Sequence, residues 1–238
     1  MLLGSIDILF SDPAIFINII ATFLLTGGLA LVICITVHEA SHAYVSYLLG
    51  DMTAKNLGRL SLNPLRHLDP MGTALLILVG FGWGKPVPVN PYYIRGDKRR
   101  GMTMVAGAGP ISNLLLAFTL GVPIRLGLID WHSPFLFRGI SISNLSNLFQ
   151  DLVGFIIFFN IMLALFNLLP LFPLDGSKIA RGLLPLSASS YISKVEAAGP
   201  ALLISLIMID WITNLNIIWG VIRPLADVVA LLLIGNTF

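Results

Sequence analysis

The sequence has almost no cysteine and few charges. Its single cysteine, Cys34, excludes an intrachain disulfide, a CxxC pair and any cysteine-based zinc finger. One helical turn before His38, it reads as a small apolar filler. Charged residues make up only 11% of the chain, whereas soluble domains carry about 25%. With 56% hydrophobic residues and a mean hydropathy of +0.90, that shortage implies an all-α polytopic membrane protein. The 238 residues leave room for about five to six spans of ~20 apolar residues, but not for a sizeable soluble domain as well. The net charge of +2 gives no indication of a nucleic-acid partner. The N-terminus lacks a basic region followed by a small-residue cleavage site, and so reads as mature sequence. No internal repeat is visible.

Ionisable groups are scarce enough that one cluster stands out. The chain has four histidines and two glutamates, and His38-Glu39-Ala40-Ser41-His42 holds two of the first and one of the second. Histidines four apart project from one helix face and can share a metal ion. Glu39, adjacent to the first, suits a general base acting on water at that metal. The motif lies inside apolar sequence: Ala21–Val37 before it and Ala43–Leu49 after it carry no charge. Ionisable groups at membrane depth are functional candidates by default. The competing reading is an interfacial helix end whose polar residues face water.

Residues 1–13 read as an interfacial lead-in. From Ala14 to Gly50 the apolar character continues for about 55 Å if wholly helical, longer than a ~30 Å hydrocarbon core. Either one steeply tilted helix is present or Gly27-Gly28 divides it; a break at the glycines is favoured, with the motif near mid-helix. Residues 50–70 form a polar loop. Met71–Trp83 is too short to span and reads as re-entrant or surface-lying; Lys85–Pro91, with alternating prolines, must be extended. A short re-entrant or extended segment is therefore expected around 72–91. Further spans are read at Met102–Ile129, interrupted at Gly107–Pro110, and at Leu148–Leu169. Ser177–Lys194 reads as a loop or surface helix, and Ala197–Ile234 as two short spans. A single domain, 1–238, results, with a core at about 21–176 and accessory helices at about 197–235.

Lys55, Arg59, Arg66, Lys85, Arg95, Lys98, Arg99, Arg100, Lys178, Arg181 and Lys194 lie in loops 50–102 and 174–196, against Arg125 and Arg138 opposite. Eleven against two puts the first set in the cytoplasm. A catalytic zinc takes three protein ligands and keeps an open position. After His38 and His42, the third ligand is open among Asp175, His67, Asp69 and His132; His132 falls in the opposite loop. Asp175 follows two prolines that unwind a helix end, as in membrane ion sites, although its spacing also suits a helix N-cap.

The paired motifs resemble a known family. HEASH in an apolar helix, with Asn167-Leu-Leu-Pro170-Leu-Phe-Pro173-Leu-Asp175-Gly176 much later, is similar to the site-2 proteases, the intramembrane zinc metalloproteases of peptidase family M50. Residues 58–72, 82–91 and Ala108-Gly-Pro-Ile-Ser-Asn113 resemble the compact branch without a PDZ domain. The resemblance implies zinc held by His38, His42 and Asp175, with Glu39 as base. It puts Asn167 beside the site as a catalytic residue that stabilises charge or pairs with substrate backbone. His67, Asp69 and Asn113 are possible accessory residues, and a plain turn at Asp69-Pro70 is the alternative for the loop pair. The expected activity is cleavage of transmembrane protein substrates in a lipid bilayer, in a prokaryotic plasma membrane with the site opening to the cytoplasm. A metal-ion transporter and a non-cleaving, helix-binding relative are the competing functions.

Overall fold

The computed structural model describes residues 10–79, 84–134, 145–185, 187, 189–213 and 215–238. Residues 80–83 of the expected re-entrant segment, nearly all of the lead-in and the middle of the polar loop after Ile129 lie outside the described residues. Every regular element is helical, and one isolated bridge, Leu68 to Gly84, is the only β pairing among the described residues.

Helix α1 (Pro13–Phe23) starts where Asp12 Oδ1 accepts from the Ala14 and Ile15 amides, each at 3.1 Å, with proline in the first turn. At Gly27-Gly28 the chain does not break. A π-helical turn, Leu24–Gly28, joins α1 to α2 (Leu29–Leu48), giving one helical run over Pro13–Leu48. The reason is the cost of a break: in an apolar setting, freed backbone groups have no water to bond. Thr22, Thr26, Thr36 and Ser41 obey the same constraint by donating their hydroxyls to carbonyls four residues back, at 2.7 or 2.8 Å.

Two short helical pieces follow, α3 (Thr53–Asn56) and α4 (Pro70–Val79). Helix α5 (Lys98–Arg125) starts at Asp97, whose Oδ1 accepts from the Arg99 and Arg100 amides at 2.8 and 3.2 Å. It passes through Pro110 and Pro123 without a break, contrary to the interruption expected at Gly107–Pro110. Proline removes one ladder bond, but within packed membrane helices the neighbours tolerate it. Helix α6 (Leu145–Asn167), α7 (Asp175–Leu183), α8 (Ser189–Thr213) and α9 (Ile217–Ile234) complete the chain. The region expected as loop or surface helix after Ser177 is thus most of α7 and the start of α8.

Among the described residues, four helices are long and apolar enough to cross a membrane: Pro13–Leu48, Lys98–Arg125, Ser146–Asn167 and Ile217–Ile234. The chain is an all-α polytopic membrane protein. Lipid is as apolar as leucine, so close packing rather than water exclusion holds such helices together. One buried cluster joins Ala117 and Ile124 of α5, Val153, Ile157 and Ile161 of α6, and Ala226, Ala230 and Ile234 of α9. A smaller one sets Ala30 and Cys34 of α2 against Ile156 of α6. Small residues permit the approach: a Cβ on Gly121 would lie 2.9 Å from Ile234 Cγ2. The α2, α5 and α6 arrangement carries the histidine motif in its interior.

Candidate metal centre

His38 and His42 both face inward from α2, 5% and 7% exposed, with rings 4.7 Å apart and nearly perpendicular. The chain reaches them a second time from far downstream. Helix α6 ends at Asn167, Pro170 and Pro173 hold the next residues out of helix, and α7 begins at Asp175. Leu174 is the cap residue, so Asp175 is not the N-cap its spacing allowed. Gly176 lets the turn fold tightly, since a Cβ there would strike the carbonyl oxygens of Leu168 and Leu169.

Asp175 is 5% exposed, and its Oδ2 lies 3.1 Å from His38 Nε2 and 3.0 Å from His42 Nε2. The two Nε2 atoms are themselves 3.1 Å apart. Three buried donor atoms thus form a nearly equilateral triangle. The other ends of the rings say what those atoms carry. His42 Nδ1 is 2.7 Å from the Val105 carbonyl oxygen, which can only accept, so the proton sits on Nδ1. His38 Nδ1 is 2.8 Å from Asn113 Oδ1, with the same result. When each neutral ring donates from Nδ1, its Nε2 presents a lone pair. Two lone pairs and a carboxylate oxygen then face one another in a buried space, an arrangement that repels itself unless a cation lies between.

That donor set fits zinc. Tetrahedral nitrogen and oxygen ligands at normal zinc bond lengths stand about 3.3 Å from one another, close to the triangle observed. Both ring-orienting contacts are the kind that metal-binding histidines make. Lys178 Nζ, 3.1 Å from Asp175 Oδ1, engages the carboxylate oxygen turned away from the histidines. Space is provided by Gly109 of α5: a Cβ there would lie 2.5 to 2.6 Å from atoms of both imidazoles.

Glu39 turns toward the extended segment after residue 84. Its Oε2 accepts from the Val87 amide at 3.1 Å. The segment is tied down at both ends. Arg59 Nη2 donates to the carbonyls of Lys85 and Pro86, and the Lys85 amide donates to the His67 carbonyl. At the far end the Asn90 amide donates to Asp51 Oδ2 at 2.7 Å. Asp51 also accepts from Ser46 and Thr53. Burial acts to raise its pKa, but the bonds from the Thr53 hydroxyl, the Asn90 and Thr53 amides and the Ser46 hydroxyl outweigh it and hold the carboxyl below the usual range.

The other candidates separate clearly. Asn113 joins the centre through His38. His67 is buried, with Nε2 on the Ser61 carbonyl at 2.7 Å, and supports the loop rather than the donor triangle. Asp69 Oδ1 accepts from the Gly72 amide at 2.8 Å, the turn at the start of α4. Asn167 donates back to the Leu163 carbonyl at 3.0 Å. His132 pairs with Asp151 at 2.9 Å. Cys34 fills the α2–α6 contact as read, and its sulfur also accepts from Asn160. Sequence reasoning overlooked Asn160, Lys178 and Asp51. Asn160 had a signal: a strongly polar side chain within the apolar stretch Phe155–Phe166.

Comparison with known proteins agrees with the site. The model of peptidase family M50 matches residues 26–209. YwhC of Bacillus subtilis (strain 168), a zinc metalloprotease by its given name, is 41% identical over 171 residues, covering 72% of this chain and 74% of its own. Rip2 of Mycobacterium tuberculosis (strain ATCC 25618 / H37Rv), named likewise, is 31% identical over 168 residues, 68% of this chain and 55% of that one. Rip2 of Mycolicibacterium smegmatis is 30% identical over 169 residues, 70% and 57%. The chain therefore spans little more than half the length of the Rip2 proteins. No solved structure matches significantly. With a family match across most of its length and a buried histidine–histidine–aspartate group suited to its metal, the chain belongs to peptidase family M50, the zinc metalloproteases that its motifs resemble.

Proposed function

We propose that this protein cleaves peptide bonds within or beside transmembrane segments of membrane-protein substrates, using one catalytic centre in a single membrane-embedded domain, 1–238. His38, His42 and Asp175 hold the zinc, and Glu39 is the general base. The observation that carries this reading is that the Asp175 carboxylate comes within 4.8 Å of two buried imidazole nitrogens on the membrane-spanning run Pro13–Leu48. Convergence at one point also argues against a transporter, which distributes polar ligands along a path.

Zinc bound there supplies Lewis acidity, acidifying water and polarising a peptide carbonyl. The protein supplies the rest. His38 and His42 donate lone pairs because their Nδ1 protons are held by Asn113 and Val105. Asp175 contributes Oδ2, while Lys178 balances charge at Oδ1. Glu39 takes the proton from attacking water and returns it to the leaving amine. Asn167, at the end of α6, is proposed to meet substrate backbone rather than the metal.

A substrate helix must open before its carbonyl can react, which frees backbone groups in an apolar setting. The segment Lys85–Asn90, extended and hydrogen-bonded to Glu39 through Val87, is proposed to pair edge-to-edge with the opened chain. Eleven basic residues within 50–102 and 174–196 support a site opening to the cytoplasm of a prokaryotic plasma membrane. The deciding experiment is reconstitution with single-span candidate substrates, comparing native protein with Glu39→Gln and measuring zinc in both. Cleavage by the native form alone, with equal zinc, is expected. Vesicle metal uptake without cleavage would overturn the reading.

A further inference from the structure

We infer that Asn160 is a positioning residue for the metal centre: acting through Asn113, it fixes the hydrogen bond that turns His38 Nε2 toward the metal. The inference rests on the proposal that His38 is a zinc ligand.

The two histidines are oriented by different means. His42 donates to a backbone carbonyl, which cannot reverse. His38 donates to an asparagine amide, which can. Rotating the Asn113 amide by half a turn would exchange its oxygen and nitrogen with little change of shape. The NH2 group would then face His38 Nδ1. It could bond only to a ring whose proton had moved to Nε2, and an Nε2 carrying a proton does not ligate.

What prevents this lies on the far side of Asn113. Its Nδ2 donates to Asn160 Oδ1 at 2.7 Å and lies 3.4 Å from the Cys34 carbonyl. Asn160 is in turn fixed, because its Nδ2 donates to the Ile156 carbonyl at 2.7 Å and approaches Cys34 Sγ at 2.9 Å. The Ile156 oxygen can only accept. Polarity therefore runs one way, from a backbone carbonyl of α6 through Asn160 and Asn113 to the imidazole. Both asparagines are fully buried, so no water can substitute for a missing partner. A plain structural role, gluing helices together with a buried amide, would not require this direction.

The test uses the full chain in detergent with Asn160→Leu and Asn160→Asp. Leucine removes the relay. Aspartic acid, held neutral by burial, can still accept from Asn113 and donate to Ile156. Zinc affinity is measured by chelator competition, and hydrogen exchange of the two histidine Nδ1 protons by NMR on the zinc-loaded protein. Asn160→Leu is expected to lower zinc affinity by about 10- to 100-fold. It should also speed exchange at His38 on the order of tenfold while leaving His42 unchanged. Asn160→Asp should stay near native in both. Native-like affinity and exchange in Asn160→Leu, or equal loss in both variants, would overturn the inference. If Asn160→Leu does not fold, the native protein still decides: a His38 proton exchanging as freely as an exposed imidazole rules the relay out. His38→Ala separates the two levels. Full zinc in that variant sinks the ligand assignment, whereas zinc loss there beside native affinity in Asn160→Leu sinks only the role of Asn160.

Discussion

The amide of Val87 donates a hydrogen bond to Oε2 of Glu39 at 3.1 Å, so the strand-like segment between residues 84 and 90 lies directly against the proposed base. The carboxylate proposed to take a proton is thus also in contact with this segment.

Val87→Pro removes that amide while keeping an extended backbone between Pro86 and Pro88. Cleavage is expected to slow on the order of tenfold, with zinc content unchanged. Zinc loss, measured by metal analysis of the purified variant, would show that the segment serves folding instead.

Glu39→Gln keeps the shape and removes the proton acceptor. Hydrolysis should fall on the order of 100-fold or more, with zinc retained. Paired measurements of cleavage and bound metal check this, and residual activity near native would require another base.

Asp175→Ala removes one corner of the donor triangle and leaves Lys178 without its carboxylate. Both zinc and activity should be lost. Full zinc occupancy would exclude Asp175 as the third ligand.

Gly109→Ala tests the space beside the rings. A Cβ 2.5 Å from His38 Cε1 and 2.6 Å from His42 Nε2 must displace both imidazoles. Zinc affinity should fall about 10-fold or more with helix content preserved, as read by competition titration and circular dichroism.

Asp51 gives a pH signature outside the spans. Its folded pKa is depressed below the ordinary 3.8, so its contribution is present above that value and lost as pH falls through the folded pKa. Melting temperature in detergent should therefore drop as pH falls below about 4, and Asp51→Asn should flatten that part of the profile. An unchanged profile would mean that other carboxylates control acid unfolding.

Much of the centre is readable from the chain because its chemistry depends on local spacing. His38, Glu39 and His42 share one helix, and an apolar setting makes them conspicuous. Asp175 is harder, since nothing local says that a turn 133 residues downstream returns to the same point; its paired prolines and family resemblance pointed there. Asn160 carries no motif, and its partners come from two other helices. The helices continue through Gly27-Gly28 and Pro110, against the expected interruptions, for a different reason. Glycine and proline end helices in water, where freed amides find new partners, but an apolar surrounding offers none. For His67 and Asp69 residue type alone left an accessory role and a plain turn open; their hydrogen bonds in the structure run to the Ser61 carbonyl and the Gly72 amide.

The π turn at Leu24–Gly28 has a separate consequence. Such a turn accommodates one residue more than the α turn it replaces, so it puts a phase offset of about 100° between the two halves of the long first helix. The half bearing the histidines can keep its register against α5 and α6 while the preceding half presents another side to its surroundings. A sequence change upstream of Leu24 can therefore alter what the helix meets there without rotating either imidazole.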